Sequence, residues 1–214
     1  MGERHANVVG DSVLEYILSI MNVDFYYDIR SPYTYLAWER RNVLMAAGAQ
    51  LTYVPVSVDV LLNLQAGKKA GAEYADPLAP PKRQHMMSDI PRLARYWGIP
   101  FGGPFTFKPQ ATKAMCLATA LQSSGLDQEE FVNLALKTLW LETRDLSDNK
   151  VLKELASVAN LDSFEHDATL RDLTKNTELA YQAGIFGVPS FRHENQIYFG
   201  ADRVDVLASE LNQF

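Results

Sequence analysis

The apolar positions change period once near the start of the chain. Val23, Phe25 and Tyr27 alternate with Asp24, Tyr26 and Asp28, and aromatic and β-branched residues dominate, which predicts a strand. Ser31 then stands where an N-cap belongs and Pro32 at the first helical position, where its missing N–H costs nothing. Tyr35, Leu36, Trp38, Val43 and Leu44 continue at helical spacing, predicting a helix as far as Gly48. Residues 50–56 read as a second strand, with Pro55 pointing to an edge or a strand end. A helix joining two such strands makes a right-handed βαβ unit.

From Val60 the pattern is helical for more than a hundred residues. A loop is expected over 67–81, then a helix from Lys82 to Trp97 that Pro91 either splits or restarts, and a second loop over 100–105. Further helices are expected over 110–123, 129–143, 150–159 and 167–183, with Asp127 and Asp148 as caps for two of them. Gly187-Val188-Pro189 then enters a strand, followed by a hairpin and a last helix.

Composition narrows the functions available. The 214 residues suffice for one sizeable core, or for a small domain with another inserted in it. A formal net charge of −6 argues against nucleic acid as a partner and offers no polybasic face to a membrane. No apolar run approaches the roughly 20 residues that span a bilayer. Residues 1–20 are treated as an N-terminal extension; they lack the charge order and length of a signal peptide, and a cytoplasmic protein is expected. The lone cysteine, Cys116, excludes an intramolecular dithiol cycle. It sits in an Ala-rich helical pattern, as a small core residue or as a reactive thiol, and solvent exposure decides between them.

Ser31 has two readings of its own. It is a cap worth about 1 kcal/mol, or a hydroxyl at the positive end of a helix, where an anion such as a thiolate is favoured. A serine hydrolase would need a paired base and a nucleophile-elbow signature, and neither surrounds Ser31.

The run from Ala183 to His193, followed by Ile197 to Arg203, resembles the cis-proline edge of the thioredoxin fold. Taken with Asp24 to Ala37, it resembles the 2-hydroxychromene-2-carboxylate isomerase and kappa-class glutathione transferase family, a DsbA-like branch of that superfamily. Ser31-Pro32-Tyr33-Thr34 stands where a redox enzyme carries Cys-x-x-Cys. The resemblance implies an α/β, thioredoxin-like fold with an inserted all-helical domain: residues 21–57 and 184–214 form the thioredoxin-like part and 58–183 the insertion.

The resemblance also implies glutathione as cofactor, with its sulfur held by Ser31 beside Pro32 and Tyr33. Val188, ahead of a cis Pro189, would pair with the glutathione peptide, and Ala201 and Asp202 would receive its γ-glutamyl end. Asp202 reads equally as a cap or as the partner of Arg203. The family pattern Lys-x-x-Tyr-x-x-x-Asp-x-x-Arg is represented by Lys82, His85, Asp89 and Arg92, with histidine where tyrosine is usual. Lys82, His85 and Arg92 are the implied substrate contacts, although Lys82 and Arg92 could equally solvate their helix and His85 could be a surface histidine. The asparagine that the family carries ahead of this pattern has no clear match among Lys68, Lys69 and Glu73.

The implied reaction is reversible addition of the glutathione thiolate to an unsaturated carbon of an aromatic 2-oxo or hydroxy acid, rotation about the bond made single, and elimination. The alternatives are a kappa-like transferase conjugating electrophiles and a non-catalytic thioredoxin-like binding module. No metal is called for, and a homodimer is expected by resemblance.

Overall fold

The computed structural model describes residues 21–74, 79–103, 108–159 and 166–213. The proposed extension 1–20, and parts of the two loops expected over 67–81 and 100–105, lie outside the described residues.

Strand β1 (Asn22–Tyr27) leads into α1 (Pro32–Glu39) and α2 (Arg41–Ala46), and β2 (Gln50–Pro55) follows. Helices α3 (Val58–Gln65), α4 (Pro80–Trp97), α5 (Thr112–Ser123), α6 (Glu129–Trp140), α7 (Asn149–Val158) and α8 (His166–Gln182) come next. The chain closes with β3 (Ser190–His193), β4 (Gln196–Phe199), a short 3₁₀ turn over Ala201–Arg203 and α9 (Val204–Leu211). The sheet order is β2-β1-β3-β4, with β1 parallel to β2 and antiparallel to β3. Two sequence segments far apart therefore meet at the centre of one sheet, and Pro55 lies on its edge strand as its missing N–H requires.

Phe25 anchors the main core. Its ring lies 4.5 Å from that of Phe191 on β3 and 5.7 Å from that of Trp38 on α1, and the ring of Trp38 lies tilted against Tyr53 of β2 at 4.6 Å. This core continues without a break into α5, α6 and α7 through Leu117, Phe131, Leu136 and Leu155. On the other face, Tyr26, Val56, Leu61, Ala180, Ile185 and Val188 form a second cluster beneath α3 and α8.

That second layer covers the side of the sheet on which Tyr26 lies. Tyr26 and Asp28 are 5% and 4% exposed, because a central strand covered on both faces buries both sets of its side chains. The helix expected to run from Pro32 to Gly48 is corrected. It breaks at Arg40, whose guanidinium bonds the Ala201 carbonyl at 3.1 Å and Asp205 at 2.5 Å while lying over the ring of Trp97. Pro91 does not divide α4, which runs through it; Met87, whose carbonyl loses its partner there, is on the exposed side of the helix. Asp148 caps α7 as expected, while Asp127 accepts the Glu129 N–H from one residue ahead of the cap, Gln128.

No helix among the described residues is long and apolar enough to cross a membrane. With Phe25 at the junction of sheet and helices, Phe25→Ala is expected to lower stability by about 3–5 kcal/mol, read from the urea denaturation midpoint.

Candidate active site

Ser31 lies beyond the carboxyl end of β1, in extended backbone (φ −85°, ψ 118°), and its hydroxyl accepts the Thr34 N–H at 3.3 Å. It is therefore the N-cap of α1, with Pro32 opening the helix and no acidic residue in the first turn. The same hydroxyl donates to the Val188 carbonyl at 3.4 Å, across 157 residues of sequence. A bond that long is weak, so the hydroxyl can turn to a better acceptor at little cost. The Val188–Pro189 peptide is cis.

Ala201 and Asp202 reach the same edge because the Gly200 N–H donates to the Pro189 carbonyl at 3.0 Å. Ala201 is buried; Asp202 is exposed and pairs with Arg203 at 3.4 Å. Two backbone donors near the Ser31 hydroxyl, the N–H groups of Tyr33 and Val188, have no partner among the described residues. Together with the helix dipole they favour an anion beside Ser31.

The turn that carries Ser31 is held by bonds to five of its backbone groups. The Ser31 N–H donates to the Asp28 carbonyl at 2.9 Å, and the Arg30 N–H to Asp28 Oδ1 at 2.8 Å. The Ile29 N–H meets Met115 Sδ at 3.2 Å, and the Ile29 carbonyl accepts Trp140 Nε1 at 2.8 Å. Asp28 Oδ2 accepts the Val58 N–H at the start of α3, also at 2.8 Å. Arg30 pairs in two-pronged fashion with Asp59 of α3.

Tyr33 links the site to α4. Its hydroxyl donates to Asp89 Oδ2 at 3.1 Å, and Asp89 Oδ1 accepts Arg92 Nη1 at 3.0 Å. Burial, and then the Asp89 carboxylate, push the Tyr33 phenol up to about 12, so it remains a donor throughout the physiological range. Of the substrate contacts implied by resemblance, Arg92 is thus brought to Asp89 beside α1. Lys82 and His85 lie on the same face of α4, exposed, and no described contact joins either to Ser31.

Asp28 and Asp89, with Met115 and Trp140, are the site's supports that sequence reasoning left without a role. Asp28 carries one local signal, a carboxylate two residues ahead of a free turn N–H, whereas Met115 and Trp140 reach the turn from helices 86 and 111 residues away. Cys116 is fully buried and its thiol is pushed up to about 11, chiefly by burial, so it is a core residue.

The family model for the DSBA-like thioredoxin domain matches residues 22–212. The 2-hydroxychromene-2-carboxylate isomerase of Sphingobium xenophagum is 30% identical over 199 residues, covering 88% of this chain and 97% of that protein. Glutathione S-transferase kappa 1 of Caenorhabditis elegans is 25% identical over 213 residues, covering 89% and 91%. Among solved structures, a 2-hydroxychromene-2-carboxylate isomerase superposes with a TM-score of 0.69 at 20% identity, over 90% of this chain and 95% of the other.

Two measurements check this geometry. Tyr33→Phe and Asp89→Asn, made singly and together, are expected to show a coupling of about 0.5–1.5 kcal/mol in urea denaturation. An aromatic disulfide reagent at pH 8 is expected to leave Cys116 unmodified in the native protein and to react with one thiol per chain once denaturant is added.

Proposed function

The chain belongs to the 2-hydroxychromene-2-carboxylate isomerase and kappa-class glutathione transferase family within the DSBA-like thioredoxin domains, and from that premise we propose that it is a glutathione-dependent isomerase of 2-hydroxychromene-2-carboxylate or a related aromatic-degradation intermediate. One observation carries this reading: a serine caps α1 across from the cis Val188–Pro189 peptide, where the Tyr33 and Val188 N–H groups have no partner among the described residues.

The donor set suits glutathione. Ser31 gives up only a weak bond to Val188 when its hydroxyl turns to a sulfur, and the first turn of α1 lowers the cost of negative charge there. Val188, just ahead of β3, offers a backbone N–H with no partner among the described residues and a carbonyl bonded only weakly to Ser31, the groups by which an extended peptide is held. Ala201 and Asp202 stand at the next helix start for the γ-glutamyl end, with the Asp202 carboxylate suited to its ammonium group. Glutathione bound there would supply a thiol nucleophile that adds reversibly to an unsaturated carbon of the acid and is recovered unchanged.

Ser31 acts in this scheme as a donor and not as the attacking group; no base is bonded to its hydroxyl among the described residues. Arg92, held beside Tyr33 through Asp89, offers a cation for the substrate carboxylate, and Lys82 and His85 extend the same helix face. A cytoplasmic homodimer belongs to the same proposal. Similarity over nearly the whole chain to a kappa transferase favours a second reading, conjugation of electrophiles. Product analysis separates the two, since isomerisation returns the thiol and conjugation removes it.

The test is an ultraviolet difference titration of glutathione across pH. A saturable thiolate signal with a midpoint below the ordinary thiol value of about 8.5 is expected, moving up by about one unit in Ser31→Ala. Absence of any signal in the unaltered protein contradicts the assignment.

A further inference from the structure

Asp28 is a charged side chain buried to 4% exposure immediately behind the helix start that carries Ser31. Its carboxylate accepts two backbone N–H groups, Arg30 ahead of α1 and Val58 at the first position of α3, each at 2.8 Å. One side chain thus ties together the two turns at the carboxyl edge of the sheet, and on the α3 side it accepts from the first residue of the helix. Its charged neighbours are few. Among the described residues Arg30 attracts it, and Asp59, clamped to Arg30, and the phenol of Tyr27, bonded to Gln128, are the other titratable groups facing it. From α5 and α8 the adjoining cavity of about 40 Å³ presents Thr112, Met115, Leu173 and Thr174, none of which carries charge. The cluster of Asp28, Arg30 and Asp59 therefore has one negative charge more than positive, at the place where the proposed site gathers a second anion.

We propose that Asp28 is a positioning residue with two opposed effects on the site: it fixes the height of Ser31 above the sheet, and its buried charge opposes ionisation of a thiol held there. This inference rests on the glutathione reading above. Both carboxylate oxygens of Asp28 accept backbone N–H groups and Arg30 supplies a nearby cation, an arrangement that favours the ionised form against the upward push of burial. Arg30 is the counterweight. It precedes Ser31, and its guanidinium, over the ring of Tyr74 and bonded to Asp59, supplies the nearby positive charge.

Charge variants separate this role from simple support of the fold, because they move the thiol midpoint in opposite directions. In the same difference titration, Asp28→Asn and the more accessible Asp59→Asn are each expected to lower the midpoint by about 0.6 pH unit. That is the scale of one unit charge removed at roughly 10 Å under an effective dielectric near 40. Arg30→Met is expected to raise it by a similar amount. Loss of structure alone would weaken the thiolate in all three variants and shift every midpoint upward. If Asp28→Asn does not fold, the opposite signs for Asp59→Asn and Arg30→Met carry the test. A thiolate signal in the unaltered protein, with midpoints unchanged or all raised in the variants, overturns the role of Asp28 and leaves the glutathione reading standing. No signal in the unaltered protein overturns both.

Discussion

The site depends on how the backbone of residues 28–31 satisfies its hydrogen bonds. A turn packed between a sheet and helices cannot leave its N–H and C=O groups to water, and each one unpaired costs about 1–3 kcal/mol. Here Trp140 and Met115 take the two polar groups of Ile29, and Asp28 takes the N–H groups of Arg30 and Ser31. With those bonds made, the turn has little freedom, and the Ser31 hydroxyl is carried to the Val188 carbonyl. The helical segment between β2 and β3 therefore supports the site from behind as well as packing beside it.

The same arrangement explains why residues so far apart in sequence end at one edge. β1 lies between β2 and β3, so the carboxyl end of β1 adjoins the entry to β3 wherever the intervening helices run. Arg40 and Gly200 then pin the β4–α9 connection to the same place, one through the Ala201 carbonyl and the other through Pro189. Anionic and cationic side chains alternate around this edge: Asp28, Arg30 and Asp59 behind the turn, Asp89 and Arg92 on α4, Asp202 and Arg203 ahead of α9. Such pairs suit the ligands proposed above, a peptide that carries both signs of charge and an organic acid.

Much of this was legible in the sequence where the signals are local. The alternation of Val23, Phe25 and Tyr27, the Ser31-Pro32 helix start and the Gly-Val-Pro entry to a strand each rest on a few adjacent residues, and each stands as read. What was not legible depends on partners remote in the chain. That Asp28 is buried was not legible, because nothing near it in the chain announces that α3 and α8 cover that side of the sheet. The break at Arg40 carries no glycine or proline; it follows from anchors on Ala201, Asp205 and Trp97. Asp89 was visible as one position of a helical pattern, but its bond to Tyr33 appears only once α4 is docked on α1.

The most direct test of the central claim, that Ser31 and the Val188–Pro189 edge together form a glutathione site, is a crystal structure of the protein with glutathione bound. The account predicts the sulfur within hydrogen-bonding distance of Ser31 Oγ and the Tyr33 N–H, and the cysteinyl backbone paired with Val188. Glutathione bound away from this edge, or lying across it with its sulfur turned from Ser31, would contradict the account.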